Sequence, residues 1–297
     1  MDDQKKAYLY AGLTVLLWST VASAFKITLR HMGFIQMLFV ASVVSMAALF
    51  FILLAQGKWK QLRSQSGPEL ARSALLGFLN PFIYYLVLFK AYDLLPAQEA
   101  QPLNWTWPII VVILSAVVLK QRIGAKAILA ILVSFVGVLV ISTRGDLLGL
   151  QFSNPLGAGL AISSSLIWAS FWIFNVKDKR DEVVKLFLSF TFGSAYILAA
   201  CLLYPEPWHL SVAGLLGGAY IGLFEMGLTF VFWLKALRLS RTTVQVTNLV
   251  YLSPFISLFF ISGIVGEEIR ISTLTGLILI IAGILIQRKD SARVAGR

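Results

Sequence analysis

The chain has 297 residues, of which 58% are hydrophobic and 13% are charged, and its mean hydropathy is +0.82. This composition excludes an ordinary water-soluble domain and is typical of an integral membrane protein. The formal net charge of +11 arises from Lys and Arg residues that punctuate apolar stretches. A nucleic-acid-binding surface would instead concentrate them on one soluble face, so we expect no nucleic acid as a partner.

Ten apolar stretches follow one another in chain order, each close to the ~20 residues that cross a hydrocarbon core of ~30 Å. Five are predicted in the first half, at about residues 7–25, 34–55, 70–92, 97–119 and 125–142. Five more are predicted in the second half, at about residues 155–176, 183–204, 212–236, 242–265 and 273–287. We therefore predict an all-α integral membrane protein with ten transmembrane helices, divided into halves at residues 1–147 and 148–297.

The two halves share a sequence pattern. In the third and eighth spans, a Gly lies three positions before a polar residue in the middle of the helix, and a Lys-Ala pair follows. In the third span these residues are Gly77, Asn80 and Lys90. In the eighth span they are Gly222, Glu225 and Lys235. The first helix of each half also carries a Trp followed by a Lys. Because five spans per half is an odd number, equivalent helices cross in opposite directions. The pattern predicts two inverted five-helix repeats, with a substrate site between them.

The basic residues predict the orientation. With the N-terminus inside, twenty of the 25 Lys and Arg residues lie in cytoplasmic loops or termini, which leaves Lys26, Arg30, Lys90, Arg144 and Arg270 outside. Lys and Arg in short loops resist translocation, so we predict that both termini are cytoplasmic.

Polar and aromatic residues within the spans predict a cavity. Polar side chains cluster on the third, fourth, eighth and ninth helices, where contact with lipid would be costly, so they should face inward. Pro81 and Pro102 predict bends in the third and fourth helices. The predicted lining residues are Trp18, Asn80, Tyr84, Gln101, Trp105, Trp168, Trp172, Glu225, Asn248 and Tyr251. Their aromatic faces and amide groups suit an amphipathic, zwitterionic or cationic small molecule. Each aromatic residue would also fit a membrane-interface belt.

Glu225 is the one acid at the centre of a span, and we expect it to face the cavity opposite Asn80. A carboxylate at that depth is costly unless it is solvated, paired or protonated. Three roles stay open: contact with a substrate ammonium group, proton binding that couples export to the proton gradient, and a protonated structural side chain.

Small residues at every fourth position predict tight helix packing. One ridge is Gly157, Ala161, Ser165 and Ala169 in the sixth span, and the other is Gly214, Gly218 and Gly222 in the eighth.

Catalytic motifs are missing from the sequence: it has no His-Glu-x-x-His, no Gly-x-Ser-x-Gly and no phosphate-binding loop. We therefore expect that the protein is not an enzyme and that it binds no metal and no cofactor. Without a nucleotide site, it should move its solute down a gradient or couple transport to an ion gradient.

These features resemble the drug/metabolite transporter superfamily, in particular its ten-helix EamA-type members. The resemblance is carried by Leu17-Trp18-Ser19 with Lys26, Ile167-Trp168-Ala169-Ser170 with Lys177, Lys90-Ala91, Lys235-Ala236-Leu237, Pro108, Pro254 and Gly266-Glu267. The first half departs from the pattern with Lys120-Gln121-Arg122 where the second has Gly266-Glu267-Glu268.

Within the superfamily, the Trp-rich and Asn-Pro-bearing helices look most like the YddG-type amino-acid exporters. That resemblance implies export of aromatic and other neutral amino acids across a bacterial inner membrane by alternating access. Efflux of multiple drugs or lipophilic cations is the alternative, and a non-transporting membrane scaffold is a third. A monomer and a homodimer both stay open.

Overall fold

The computed structural model describes residues 2–107, 109–110, 113–114, 125–148, 153–204, 207–208, 211–240, 249–250 and 252–295. Throughout these ranges the regular secondary structure is helical, and no β-strand occurs in them. This confirms the all-α prediction.

The described residues of the first half form seven helices. They are α1 (Asp3–Leu29), α2 (Phe34–Ala55), the short α3 (Trp59–Arg63), α4 (Gly67–Gly77), α5 (Tyr84–Leu94), α6 (Ala97–Asn104) and α7 (Ala125–Ser142). A π-helical segment, Phe78–Ile83, joins α4 to α5 and makes one continuous span.

In the second half, six helices lie within the described ranges. They are α8 (Pro155–Lys177), α9 (Glu182–Leu203), α10 (Val212–Ile221), α11 (Leu228–Leu239), α12 (Ser253–Phe260) and α13 (Ile271–Ala295). A second π-helical segment, Gly222–Gly227, joins α10 to α11, and a third, Ile261–Val265, follows α12.

Six helical segments in the described ranges are long and apolar enough to cross a membrane: Asp3–Leu29, Phe34–Ala55, Gly67–Leu94, Pro155–Asn175, Glu182–Leu203 and Val212–Leu239. Three shorter apolar helices, Ile131–Ser142, Ser253–Val265 and Ile271–Ile286, accompany them. Helix α2 coincides with the predicted span at residues 34–55, and α7 ends at Ser142, where the predicted fifth span ends. Residues 108, 111–112 and 115–119 of the predicted fourth span, and residues 242–248 and 251 of the predicted ninth, lie outside the described residues, so the count of ten remains a prediction.

Polar side chains mark where several helices begin. Glu69 accepts a hydrogen bond from the backbone N–H of Ser66 and completes a capping box at the start of α4. Asp181 accepts from the N–H groups of Val183 and Val184 and caps α9. Ser211 caps α10 through the N–H of Gly214. Such caps satisfy N–H groups that have no partner within the helix, which fixes each start.

The helices group into two compact units, each built from both halves of the sequence. Unit 1 contains residues 1–89 and 174–266, and unit 2 contains residues 90–173 and 267–297. In unit 1, α2 packs on α9, and a hydrogen bond of 2.7 Å joins Ser42 to Ser194. Helix α1 packs on α11 and α12. In unit 2, α7 packs on α13.

The predicted ridge of the eighth span packs as expected. A Cβ at Gly218 would lie 2.7 Å from Val40, and one at Gly222 would lie 2.9 Å from Val44 and closer still to the carbonyl oxygen of Ala41. The ridge therefore contacts α2, where only glycine allows the two backbones to approach this closely.

The ridge of the sixth span packs within unit 2. A Cβ at Gly157 would lie 2.7 Å from Leu95, just after α5. Further along α8, the hydroxyl of Ser165 donates to the carbonyl oxygen of Asn104 at 2.7 Å. Helix α6 ends at Asn104, so Ser165 satisfies a carbonyl at the point where the fourth span is interrupted.

Candidate functional site

Asn80 lies at the bend of the third span. Its backbone, at φ −150° and ψ 119°, is extended in the middle of a helical segment, and Pro81 follows it. This confirms the predicted bend. The side chain is 0% exposed, and neither amide atom has a hydrogen-bond partner among the described residues. A buried amide with unused donor and acceptor capacity is rare, because each unpaired group costs ~1–3 kcal/mol.

Glu225 occupies the corresponding π-helical segment of the eighth span. Its Oε1 accepts a hydrogen bond of 3.1 Å from the hydroxyl of Tyr85, on the third span. The other oxygen, Oε2, is buried and has no partner among the described residues. Tyr85 is fully buried, and its ring lies 4.6 Å from that of Tyr84 and 5.3 Å from that of Phe89.

Two equivalent helices hold these two segments in place. A Cβ at Gly193, on α9, would lie 2.5 Å from the ring of Pro81, so α9 packs closely beside Asn80. On the other side, α2 packs against Gly222, and the Ser45 hydroxyl would lie 3.4 Å from a Cβ at Gly227. The Ser45 hydroxyl is buried and has no described partner. Unit 1 thus holds four buried polar side chains, of which Tyr85 and Glu225 are in direct contact. We name this set the polar cluster: Asn80, Glu225, Tyr85 and Ser45.

Trp18 belongs to the same unit. Its ring lies 5.9 Å from that of Trp233 on α11, and its Nε1 is buried with no described partner. Nearby, the Thr20 and Tyr220 hydroxyls lie 2.7 Å apart and join α1 to α10. Trp18 therefore offers a stacked aromatic face and an unused N–H donor.

Unit 2 contains four of the predicted site residues: Gln101, Trp105, Trp168 and Trp172. Trp168 lies 5.9 Å from Phe171 and 5.8 Å from Trp172, ring to ring. Gln101 is buried in α6, and its Oε1 has no described partner. Trp105 is buried directly after α6 ends. Asn248 and Tyr251 lie outside the described residues.

Glu99, which the sequence patterns did not single out, is the centre of a charged cluster in unit 2. Its buried carboxylate accepts hydrogen bonds from Arg144 (2.9 Å), Arg270 (2.8 Å) and Ser153 (2.7 Å). Arg144, Ser153 and Arg270 lie in segments between helices, and all three meet at Glu99 in α6. Arg144 and Arg270 are far apart in the sequence, so no local pattern predicted that both would bind the Glu99 carboxylate.

Two further contacts bind the same loops. The Glu267 carboxylate accepts from the N–H groups of Ala97 and Gln98, at 2.8 and 3.2 Å, and so caps α6. The Gln98 side chain donates to the Glu268 carbonyl at 2.8 Å and accepts from the Arg270 N–H at 2.9 Å.

A second charged cluster lies between α8 and α9 in unit 1. Asp178 is buried and pairs with Arg180, at 2.5 Å between carboxylate oxygen and guanidinium nitrogen. Burial opposes ionisation of Asp178, but the hydrogen bonds from Arg180 outweigh it and hold the pKa of this carboxyl below its usual value. Arg180 also donates to the Gln65 side chain (2.9 Å) and the Glu69 carbonyl (3.0 Å).

Neither charged cluster resembles a metal centre. Within the described ranges, no group of three or more His, Cys, Asp or Glu residues is placed to hold a metal ion.

Comparison with known proteins finds one transporter family and several relatives that are named transporters. The sequence profile of the EamA-like transporter family matches residues 5–143 and 155–287. An "Uncharacterized transporter" of Clostridium kluyveri is 24% identical, over 97% of this chain and 95% of the relative. One from Archaeoglobus fulgidus is 25% identical, over 95% and 98% respectively.

A more distant relative has a named substrate class. The "Aromatic amino acid exporter YddG" of Ancylobacter novellus is 24% identical, over 86% of this chain and 87% of the relative. One solved crystal structure superposes with a TM-score of 0.65, covering 94% of each chain at 22% identity. That likeness concerns the fold.

Proposed function

Because the chain belongs to the EamA-like transporter family, we propose that it exports aromatic and other neutral amino acids, or related small metabolites. Export would proceed by alternating access through a central cavity. Rocking of the two predicted repeats would open that cavity to each side of the membrane in turn. One observation carries this proposal: Asn80 and Glu225 hold buried polar atoms that no described residue satisfies.

An amino acid has groups that match these atoms. Its ammonium group donates hydrogen bonds, which Oε2 of Glu225 and the Asn80 carbonyl can accept. Its carboxylate accepts hydrogen bonds, which the Asn80 amide and Trp18 Nε1 can donate. Binding would then relieve the cost of leaving these groups unpaired. The same atoms would discriminate against a solute that lacks either charge, because part of the set would stay unpaired.

The aromatic residues suit the side chain of such a substrate. Trp18 with Trp233 in unit 1, and Trp168 with Phe171 and Trp172 in unit 2, present ring faces on which an aromatic side chain can stack. The name of the Ancylobacter relative, an aromatic amino acid exporter, supports the same substrate class at 24% identity.

Efflux of lipophilic cations is the second candidate, and Glu225 is the observation that favours it. The buried carboxylate is hydrogen-bonded to Tyr85, whose ring packs against Tyr84 and Phe89. The carboxylate could bind a cation by charge, and the Tyr85 ring could add cation–π attraction. The Asn80 amide donor would then have no role, which is why we favour a zwitterion.

Transport by the purified protein in proteoliposomes separates these candidates. The solutes are a radiolabelled aromatic amino acid, a small neutral amino acid and tetraphenylphosphonium. We expect saturable transport of the first two. Transport of tetraphenylphosphonium alone would establish the second candidate, and transport of none of the three would favour a membrane scaffold.

Glu225→Gln tests the role of the acid, since it preserves shape and removes the titratable charge. Exchange that is retained while pH-driven accumulation is lost would assign proton coupling to Glu225. Loss of binding for zwitterionic and cationic solutes alike would assign ammonium recognition. Wild-type behaviour in both assays would leave a structural role.

The orientation belongs to the same proposal. We propose a bacterial inner membrane, which the resemblance to YddG-type exporters implies, and both termini in the cytoplasm, which the distribution of Lys and Arg favours. A reporter fused after Arg297 should be active only in its cytoplasmic form. Periplasmic activity would contradict this topology. Cross-linking in the membrane would separate a monomer from a homodimer.

A further inference from the structure

A pocket of about 260 Å³ lies in unit 1, where α2 and α11 end and α9 begins. It shares no residue with the polar cluster. The lining residues are Gln56, Lys58, Arg180, Asp181, Glu182, Val183, Val231, Leu234, Lys235 and Arg238. This volume is close to the lower end of the ~300–1,000 Å³ of ligand pockets, which is room for a headgroup-sized molecule.

Two of the four cations in the lining are already engaged. Lys58 forms an ion pair of 2.7 Å with Asp181, which also caps α9. Arg180 is held by Asp178, as described above. The positive charge that stays available therefore comes from the end of α11.

Lys235 and Arg238 supply that charge. They are three positions apart on α11, which places both on one side of the helix, and both are exposed. Neither forms an ion pair with a described carboxylate. The Lys235 ammonium lies 5.4 Å from the centre of the Tyr10 ring, a cation–π contact that orients the side chain.

The floor of the pocket is apolar. Val231 and Leu234 lie one turn before Lys235 and Arg238, toward the middle of the span, and Val183 is buried opposite them. The pocket thus changes from apolar to cationic along α11. A membrane lipid shows the same change, from acyl chain to phosphate, at the bilayer surface.

We propose that this pocket binds the phosphate-bearing headgroup of an anionic phospholipid. Lys235 and Arg238 contact the phosphate oxygens, and the first carbons of an acyl chain lie against Val231 and Leu234. Arg and Lys are the residues that bind phosphate in proteins, Arg by paired N–H donors and Lys as a point charge. Inorganic phosphate shares this chemistry but would leave the apolar floor uncovered. The proposal does not depend on which solute is transported.

The test measures lipid binding to the full-length protein, purified in detergent, by native mass spectrometry. The probes are phosphatidylglycerol, phosphatidylcholine and inorganic phosphate. The wild-type protein should bind phosphatidylglycerol more tightly than phosphatidylcholine. Equal affinities would overturn the proposal, whatever the variants do. Displacement of phosphatidylglycerol by millimolar inorganic phosphate would overturn the assignment to a lipid and leave a free-anion site.

Variants locate the site. Lys235→Gln with Arg238→Gln should weaken phosphatidylglycerol binding by roughly tenfold or more, since each basic residue near a membrane surface contributes to binding of anionic lipid. Lys5→Gln with Lys60→Gln removes the same charge from exposed positions outside the pocket and should leave binding unchanged. Equal losses in both double variants would overturn the assignment to this pocket.

Two further variants guard against misfolding. Lys235→Arg with Arg238→Lys keeps the charge and should keep the binding. Glu182→Gln removes a carboxylate from the lining and should strengthen it. A Glu182→Gln protein that binds phosphatidylglycerol more weakly than the wild type would contradict the proposed role of charge in this pocket.

Discussion

The Tyr85 hydroxyl donates a hydrogen bond of 3.1 Å to Oε1 of Glu225 and so joins the third span to the eighth inside unit 1. The two residues are 140 positions apart and come from opposite halves of the sequence. Their contact joins a buried polar side chain of the first half of the sequence to one of the second half.

Tyr85→Phe removes the described donor to Glu225. We expect a loss of about 1–3 kcal/mol in stability, because both carboxylate oxygens are then left without a described partner. The unfolding midpoint in detergent measures it. In a Glu225→Gln background the loss should be smaller by about 0.5–3 kcal/mol, the range of interaction energies for contacting residues. Fully additive losses would contradict a direct contact, and Tyr8→Phe, at an exposed position, serves as the control.

Trp168→Ala removes the ring that contacts Phe171 and Trp172. Under the proposed function, transport of aromatic amino acids should fall more than transport of small aliphatic ones, because stacking area is lost for the former only. Uptake by proteoliposomes measures both. Equal losses would indicate a role in folding, and Trp208→Ala, with its half-exposed ring, is the matched control.

Gly222→Ala places a methyl group against the backbone of α2. The Ala41 carbonyl cannot move aside as a side chain would, so we expect destabilisation and weaker transport. Gly159→Ala makes the same change where no atom lies within 4 Å, and it should be neutral or stabilising, by up to about 1 kcal/mol. A lowered unfolding midpoint in both variants would contradict the packing argument. Gly218→Leu should also be disruptive, and a normal protein would mean that this ridge faces lipid.

Glu99→Gln removes the charge that Arg144 and Arg270 share. We expect a loss of about 1–3 kcal/mol, less than for a fully buried ion pair, because both guanidinium groups are partly exposed and can be hydrated. Glu268→Gln, which changes an exposed carboxylate in the same loop region, should have little effect. Indistinguishable unfolding midpoints for the two variants would show that the Glu99 cluster contributes nothing to stability.

Asp178 should make stability depend on pH. Its pKa is depressed in the folded protein, so its contribution is present above the pKa of the unfolded state and is lost as pH falls through the folded pKa. The difference in unfolding midpoint between wild type and Asp178→Asn should be constant near neutral pH. It should shrink below about pH 4, the ordinary range of an Asp carboxyl. A difference that stays constant down to pH 2.5 would contradict this assignment.

Hydropathy predicted the position of α2 closely, because an apolar stretch of about 20 residues forms a helix long enough to cross a membrane. The predicted span at 34–55 coincides with α2, whereas α1 begins at Asp3, before the predicted start at residue 7. Polar residues near a membrane surface can continue a helix that an apolar stretch began, and hydropathy does not detect them. The bend at Asn80 was predicted because proline has no N–H to donate.

Tertiary partners were harder to predict. Tyr84 was named as a site residue, but its neighbour Tyr85 contacts Glu225, and a shift of one residue on a helix cannot be resolved without knowing where the π-helical segment falls. Glu99 was missed because an acid at the end of a span looks like an ordinary loop residue until its distant Arg partners are known. Asn80 and Glu225 stood out in the sequence because a polar group in the middle of an apolar helix is costly. The structure shows both side chains buried, and their role at a substrate site stays a prediction.

The cap that Glu267 places on α6 bears on the order of events during synthesis. Ala97 and Gln98 leave the ribosome about 170 residues before the carboxylate that satisfies their N–H groups. Until then the start of α6 must rely on water or on temporary partners. Unit 2 therefore reaches its final structure only when the last helix has been translated, and a chain that stopped after the first repeat would lack this end of the unit.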